Sequence, residues 1–196
     1  NMRGDSTLEK LATLKPCFGG PNGTMTPANS TPLTDGASTV LLASEEWAKE
    51  RGLPVLAYLT IGEAAAVDFI GKKEGLLMAP AYAVPSMLDK LDLTLQDFDF
   101  YEIHEAFASQ VLSTLKSWED ETFCKERLGR KKAPGSIDRS KLNVKGSSPA
   151  AGHPCSATGC CILADPAKLL HVTGHSRPLI SVSLAPDQAP LPALEQ

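Results

Sequence analysis

The sequence predicts an α/β layered fold, a mixed sheet covered by helices. Two observations carry this. Runs of strand character at residues 54–60 (PVLAYLT), 98–103 (FDFYEI) and 179–184 (LISVSL) alternate along the chain with segments of helical periodicity. A chain of 196 residues with 42% apolar content can also bury a full core, in one domain or one and a fraction.

The elements follow in order. Leu8, Leu11, Ala12 and Leu14 make a short helical pattern ended by Pro16, and a glycine-rich loop occupies 17–23. Residues 1–23 are too short for a domain and read as the tail of an upstream unit with its linker; residues 24–196 read as the main domain. Residues 24–29 suggest a brief strand. Thr34 or Asp35 should cap a helix running to about Arg51 and closed by Gly52, with Ala37, Val40, Leu41, Trp47 and Ala48 on one face. After the strand at 54–60, residues 63–75 read as loop, 80–91 as helix with Pro85 near its start, and 93–97 as a turn. The strand at 98–103 runs into His104 and a helix to about Trp118. Charged, turn-rich residues 119–140 read as loop with one helical turn at most. Residues 142–144 read as a short strand leading into the glycine-rich turn 146–159. A helix over 158–170 should be kinked or interrupted by Pro166. The tail 185–196 contains Pro186, Pro190 and Pro192 and is not expected to extend a sheet.

Composition narrows the function classes. A net charge of −4 with acids and bases interspersed argues against a nucleic-acid surface. The basic stretch from Arg127 to Lys132 is short and lies beside Gly and Pro, so it reads as a solvated loop before a phosphate contact. Five cysteines, none in Cys-x-x-Cys spacing, make neither a disulfide framework nor a zinc ribbon. No metal is expected, although His153, Cys155 and Cys160 lie close in sequence. Unpaired cysteines fit a reducing, cytoplasmic setting, and no apolar run is long enough to span a bilayer. A chain that opens Asn1-Met2 reads as an excerpt of a longer polypeptide.

Two histidines hold the chemistry. His153 stands among small residues in a glycine-rich turn, where Gly152 allows close backbone approach and a helix begins shortly after. His104 stands where a strand ends and a helix begins, followed by Glu105. Ligands of layered α/β proteins gather at the carboxyl ends of strands. The two imidazoles could therefore converge, one taking a proton or orienting a nucleophile, the other serving a developing oxyanion. Read alone, His104 serves equally as a half-buried histidine bonded to a backbone carbonyl.

Four stretches resemble the thiolase family in order and spacing. They are Asn29-Ser30-Thr31-Pro32-Leu33-Thr34-Asp35-Gly36-Ala37; His104-Glu105-Ala106-Phe107-Ala108; Asn143-Val144-Lys145-Gly146-Ser147-Ser148 leading to Gly152-His153-Pro154; and Ala157-Thr158-Gly159. The His-Glu-Ala-Phe wording is similar to the bacterial acetyl-CoA acyltransferase (3-ketoacyl-CoA thiolase) branch of fatty-acid β-oxidation. The resemblance implies a thiolase C-terminal domain over 24–196, degenerate from 184 onward, preceded by the last stretch of a loop domain. It implies acyl transfer between a 3-ketoacyl thioester and coenzyme A, with coenzyme A as substrate and no resident cofactor. It further implies a homo-oligomer or a thiolase partner, and neither a nucleic acid nor a membrane span. It gives His153 the activation of a nucleophilic cysteine and help in binding the thioester oxygen. His104 would position an oxyanion-hole water, supported by Glu105. Gly146, Ser147 and Gly152 take the substrate-binding positions.

The chain also departs from the family pattern. The nucleophilic cysteine of thiolases belongs to an N-terminal half that this sequence does not contain. Cys155, two residues from His153, is badly placed to replace it. The family's acid/base cysteine aligns with Ser183, and oxyanion glycines align with Pro186, Asp187 and Ala189. A serine hydroxyl is a far poorer proton shuttle than a thiol of pKa about 8.5, and proline offers no N–H. An impaired or inactive chain is therefore expected, either as a truncated acyltransferase or as a non-catalytic remnant that binds acyl-CoA or pairs with a full-length thiolase. Poor solubility is expected of such an orphan half.

Overall fold

The computed structural model describes residues 3–72, 74–174, 177–183 and 189–195. Helix α1 (Leu8–Ala12) opens on Thr7, whose side chain accepts from the Lys10 amide. Helix α2 (Glu45–Glu50) opens the same way on Ser44. Strand β1 (Tyr58–Ala65) and helix α3 (Pro80–Leu91) follow. Then come strand β2 (Phe100–Ile103), helices α4 (Ala108–Glu119) and α5 (Glu121–Leu128), and the single-turn α6 (Ser148–Ala151). Helix α7 (Thr158–Thr173) leads to strands β3 (Pro178–Ser181) and β4 (Ala189–Glu195).

The four strands form one mixed sheet in the order β1-β4-β3-β2. β2 and β3 are parallel, with Ile103 opposite Ser181; β4 pairs antiparallel with β1 and β3. Alternation along the strands divides the core. Tyr101, Ile103 and Leu179 face Val84, Met87 and Leu88 of α3 and Val111, Leu115 and Trp118 of α4. Ile180, next to Leu179, turns to the other face and packs with Ile162 and Leu170 of α7. The sheet is thus covered on both faces, and β2 and β3 end side by side.

Several expectations need correction. The helix over 34–51 shrinks to α2. Ser44 caps it by accepting from the Trp47 amide at 3.2 Å, while Leu41 and Leu42, at 70% and 65% exposure, have no surface to pack on. Residues 24–29 form a turn, because Asn29 Oδ1 accepts from the Thr26 amide and leaves only a single bridge, Phe18 to Met25. The strand expected at 54–60 begins at Tyr58 and runs to Ala65. It tolerates Glu63 because that carboxylate accepts from Ser86 Oγ and Lys90 Nζ of α3. Residues 119–140 contain the two-turn α5, closed by Gly129 at φ 66°. The strand at 142–144 reduces to one bridge, Leu142 to Tyr101, since Asn143 turns the chain at φ 47°.

Pro166 lies inside α7 without interrupting it, because Ile162 and Leu170, one turn to either side, are anchored in the core. The tail does extend the sheet. Pro190 and Pro192 stand two apart in β4, so their missing N–H groups fall on the same edge of the strand and the other edge can pair. The substitutions read at Pro186 and Asp187 lie outside the described residues.

Candidate active site

The two histidines meet. The parallel ends of β2 and β3 place His104, whose amide donates to the Ser181 carbonyl at 2.8 Å. His104 is 1% exposed. His153 follows α6 across Gly152, which takes φ 101°. The ring centroids are 4.6 Å apart and the planes are tilted by 37°.

A hydroxyl holds each ring. Ser148 Oγ lies 2.7 Å from His104 Nδ1, and Thr158 Oγ1 lies 2.7 Å from His153 Nδ1. Burial, then the neighbouring His153, push the pKa of His104 down to about 4. Burial also lowers that of His153. Both rings are therefore neutral near pH 7. His104 Nε2 is buried and has no hydrogen-bond partner.

One extended segment, residues 29–34, ties the two histidine loops together. The Thr31 amide donates to Ala106 O at 3.0 Å, the Ala108 amide to Asn29 O at 3.0 Å, and Thr31 Oγ1 to Glu105 O. From the next residue onward, the His153 amide donates to Pro32 O at 3.0 Å and the Thr34 amide to His153 O at 3.2 Å. Side-chain groups therefore need not fix the spacing of the rings; a backbone strut does so.

Glu105 is placed beside this pair but turned to Asn143, whose Nδ2 donates to Glu105 Oε1 at 2.5 Å. The same amide pairs with both backbone groups of Ile103 at 2.8 and 2.9 Å. Gly146 takes φ 93°, and Ser147 Oγ accepts from the Glu105 amide at 3.4 Å. Ser183 is buried, and its hydroxyl donates to Leu77 O at 3.0 Å rather than to an imidazole. Cys155 is exposed at φ 44°. Among the described residues no cysteine sulfur is hydrogen-bonded to either ring, and no three metal-ligating side chains gather as a metal site.

Sequence reasoning passed over Ser148, Thr158 and Asn143 as site residues. The available signal was their position inside the motifs that surround the histidines. It also missed Glu102, a buried carboxyl on β2 whose pKa is pushed up to about 8 by burial, then by Asp165 and Glu105.

Comparison with known proteins decides the family. The thiolase C-terminal domain family model matches residues 53–190, and the thiolase N-terminal domain family model matches residues 1–46. The chain belongs to the thiolase family. It is 48% identical over 159 residues to proteins named 3-ketoacyl-CoA thiolase from Yersinia pestis (strain Pestoides F) and Yersinia pseudotuberculosis, covering 81% of this chain. The match covers 36% of those relatives, so the chain spans about a third of their length. The Bacillus anthracis acetyl-CoA acetyltransferase structure superposes with a TM-score of 0.80 at 34% identity over 98% of this chain and 43% of that one. Human mitochondrial 3-ketoacyl-CoA thiolase superposes with a TM-score of 0.79 at 28% identity, over 100% and 44% respectively. Among the described residues no helix is long and apolar enough to cross a membrane.

Proposed function

We propose that the paired imidazoles serve acyl transfer between a 3-ketoacyl thioester and coenzyme A, and that this chain alone is impaired or inactive in it. The observation that carries the proposal is the His104–His153 pair, two neutral rings 4.6 Å apart, one at the end of β2 and the other on the turn after α6.

His153 is the base. Once Nδ1 donates to Thr158 Oγ1, Nε2 carries the lone pair that accepts a thiol proton. The thiolate attacks the 3-keto carbonyl, the C2–C3 bond breaks, and the acyl group stays on sulfur for transfer to coenzyme A. The departing acetyl-CoA holds negative charge on its thioester oxygen until C2 takes a proton. His104, almost dry, offers Nε2 to that oxygen or to a water beside it. Glu105 and Asn143 hold the loop that presents His104. Gly146, Ser147 and Gly152 shape the backbone against which substrate lies. Coenzyme A enters as substrate, and no resident cofactor takes part. A full-length thiolase partner, not a second copy of this chain, would supply the nucleophilic cysteine.

The impairment rests on Ser183. Its proton is committed to a carbonyl, and its hydroxyl is a poor acid at neutral pH. Loss of a general acid/base costs about 10²- to 10⁴-fold in rate. The same bond favours a second reading: a non-catalytic remnant that binds acyl-CoA or pairs with a full-length thiolase. A thiolysis assay with a 3-ketoacyl-CoA and coenzyme A, run on the chain and on His153→Ala, tests the impairment. Turnover near background in both is expected. Strong turnover that vanishes in the variant would mean that another nucleophile works here and that the role given to Ser183 is wrong.

A further inference from the structure

Resting on the acyl-transfer reading above, we propose that Ser148 is a positioning residue that fixes the tautomer of His104, donating its hydroxyl proton to Nδ1 so that Nε2 carries the N–H. His104 then faces the reacting oxygen as a hydrogen-bond donor.

Hydrogen-bond counting supports this. A neutral imidazole has one donor nitrogen and one acceptor nitrogen, and a serine hydroxyl has one proton to give. Ser148 is 5% exposed and His104 is 1% exposed. Among the described hydrogen bonds, Ser148 Oγ has one partner, His104 Nδ1 at 2.7 Å. If Nδ1 held the proton, the buried Ser148 hydroxyl would have no acceptor for its own. If the hydroxyl donates, that donor is used, and the one group left unpaired is Nε2–H, which is the buried atom without a partner. Each tautomer leaves one buried donor unpaired, but Nδ1–H would strand the buried Nε2 lone pair as well, so it is the costlier alternative. The ring is neutral throughout, so no second ring proton removes the choice.

The placement of Ser148 follows from the fold. It is the first residue of α6, and the turn after α6 delivers His153. One short helix therefore sets the chemistry of the first imidazole and the position of the second. His153 differs in being only partly buried. Water can reach a half-buried ring and compete with the Thr158 hydroxyl for Nδ1, so Thr158 holds this imidazole less tightly.

Nitrogen-15 NMR of the labelled full chain at pH 7 tests the proposal, correlating ring nitrogens with carbon-bound ring protons and assigning His104 by its loss in His104→Gln. The wild type should show His104 protonated at Nε2. Ser148→Ala should move the tautomer ratio by about fivefold toward Nδ1–H, as expected for one net hydrogen bond. Ser148→Thr, which keeps the hydroxyl, should restore the wild-type pattern and serves if the alanine variant does not fold. An Nδ1–H signal in the wild type, or an unchanged ratio in Ser148→Ala, overturns the proposal. The tautomer is read without turnover, so an inactive chain does not decide it, and a wrong tautomer leaves acyl transfer standing.

Discussion

A β-carbon on Gly152 would stand 2.5 Å from both Oγ1 and Cγ2 of Thr34. Gly152 also takes φ 101°, which side-chain-bearing residues rarely adopt. The turn that presents His153 and the strut that fixes its spacing thus interlock at one point. Gly152→Ala should destabilise the chain by about 1–3 kcal/mol and displace the His153 ring. Adding Thr34→Ala should recover the steric part and not the backbone part. Thermal melting and the His153 ring signals measure both. An unchanged melting temperature with unchanged ring signals would count against the interlock.

Glu102 should set the alkaline side of stability. It lies opposite Ile180 in the parallel register, on the face where Ile162, Leu170 and Val182 pack. The acids Asp165 and Glu105 add to the effect of burial and raise its pKa to about 8. The fold therefore keeps a proton that the unfolded chain, with a carboxyl pKa of about 4.3, has already released. Stability should fall as pH rises through that window to about 8. Glu102→Gln should flatten the fall and melt higher than wild type at pH 8.5. His104 works in the opposite direction: buried neutral with a pKa of about 4, it should cost stability as pH falls from about 6.5. Melting temperature against pH for the wild type and the two glutamine variants checks both signs. A wild-type curve flat between pH 5 and 8 would refute the assignment to Glu102.

Exposed apolar residues should make the isolated chain self-associate. Leu33, Leu41, Leu42 and Ile70 are all at least 65% exposed. Leu41→Lys with Leu42→Ser should raise the concentration at which light scattering appears and should lower the binding of an apolar dye. A wild-type chain that stays monomeric at high concentration and binds no dye would contradict this.

Local features made the core helices and the histidines legible. Proline at the first position and a regular apolar face define α3, and a strand ending in a histidine before a helix marks His104. What escaped depends on partners distant in sequence. Glu63 sits in a strand only because α3 supplies Ser86 and Lys90 to it. β4 carries prolines that local rules reject, yet their two-residue spacing leaves one edge able to pair. The helix read over 34–51 needed a covering surface that Leu41 and Leu42 do not have. Ser148 and Thr158 were missed because small hydroxyls are common, and only the fold shows which of them meet an imidazole.

The paired imidazoles are proposed as the thioester site, and ligand binding tests this most directly. The measurement is a titration of the nitrogen-15-labelled chain with a 3-ketoacyl-CoA, following all four histidines. The ring signals of His104 and His153 should shift together and return when coenzyme A competes, while the other two histidines stay fixed. Saturating ligand that moves neither ring would contradict the claim.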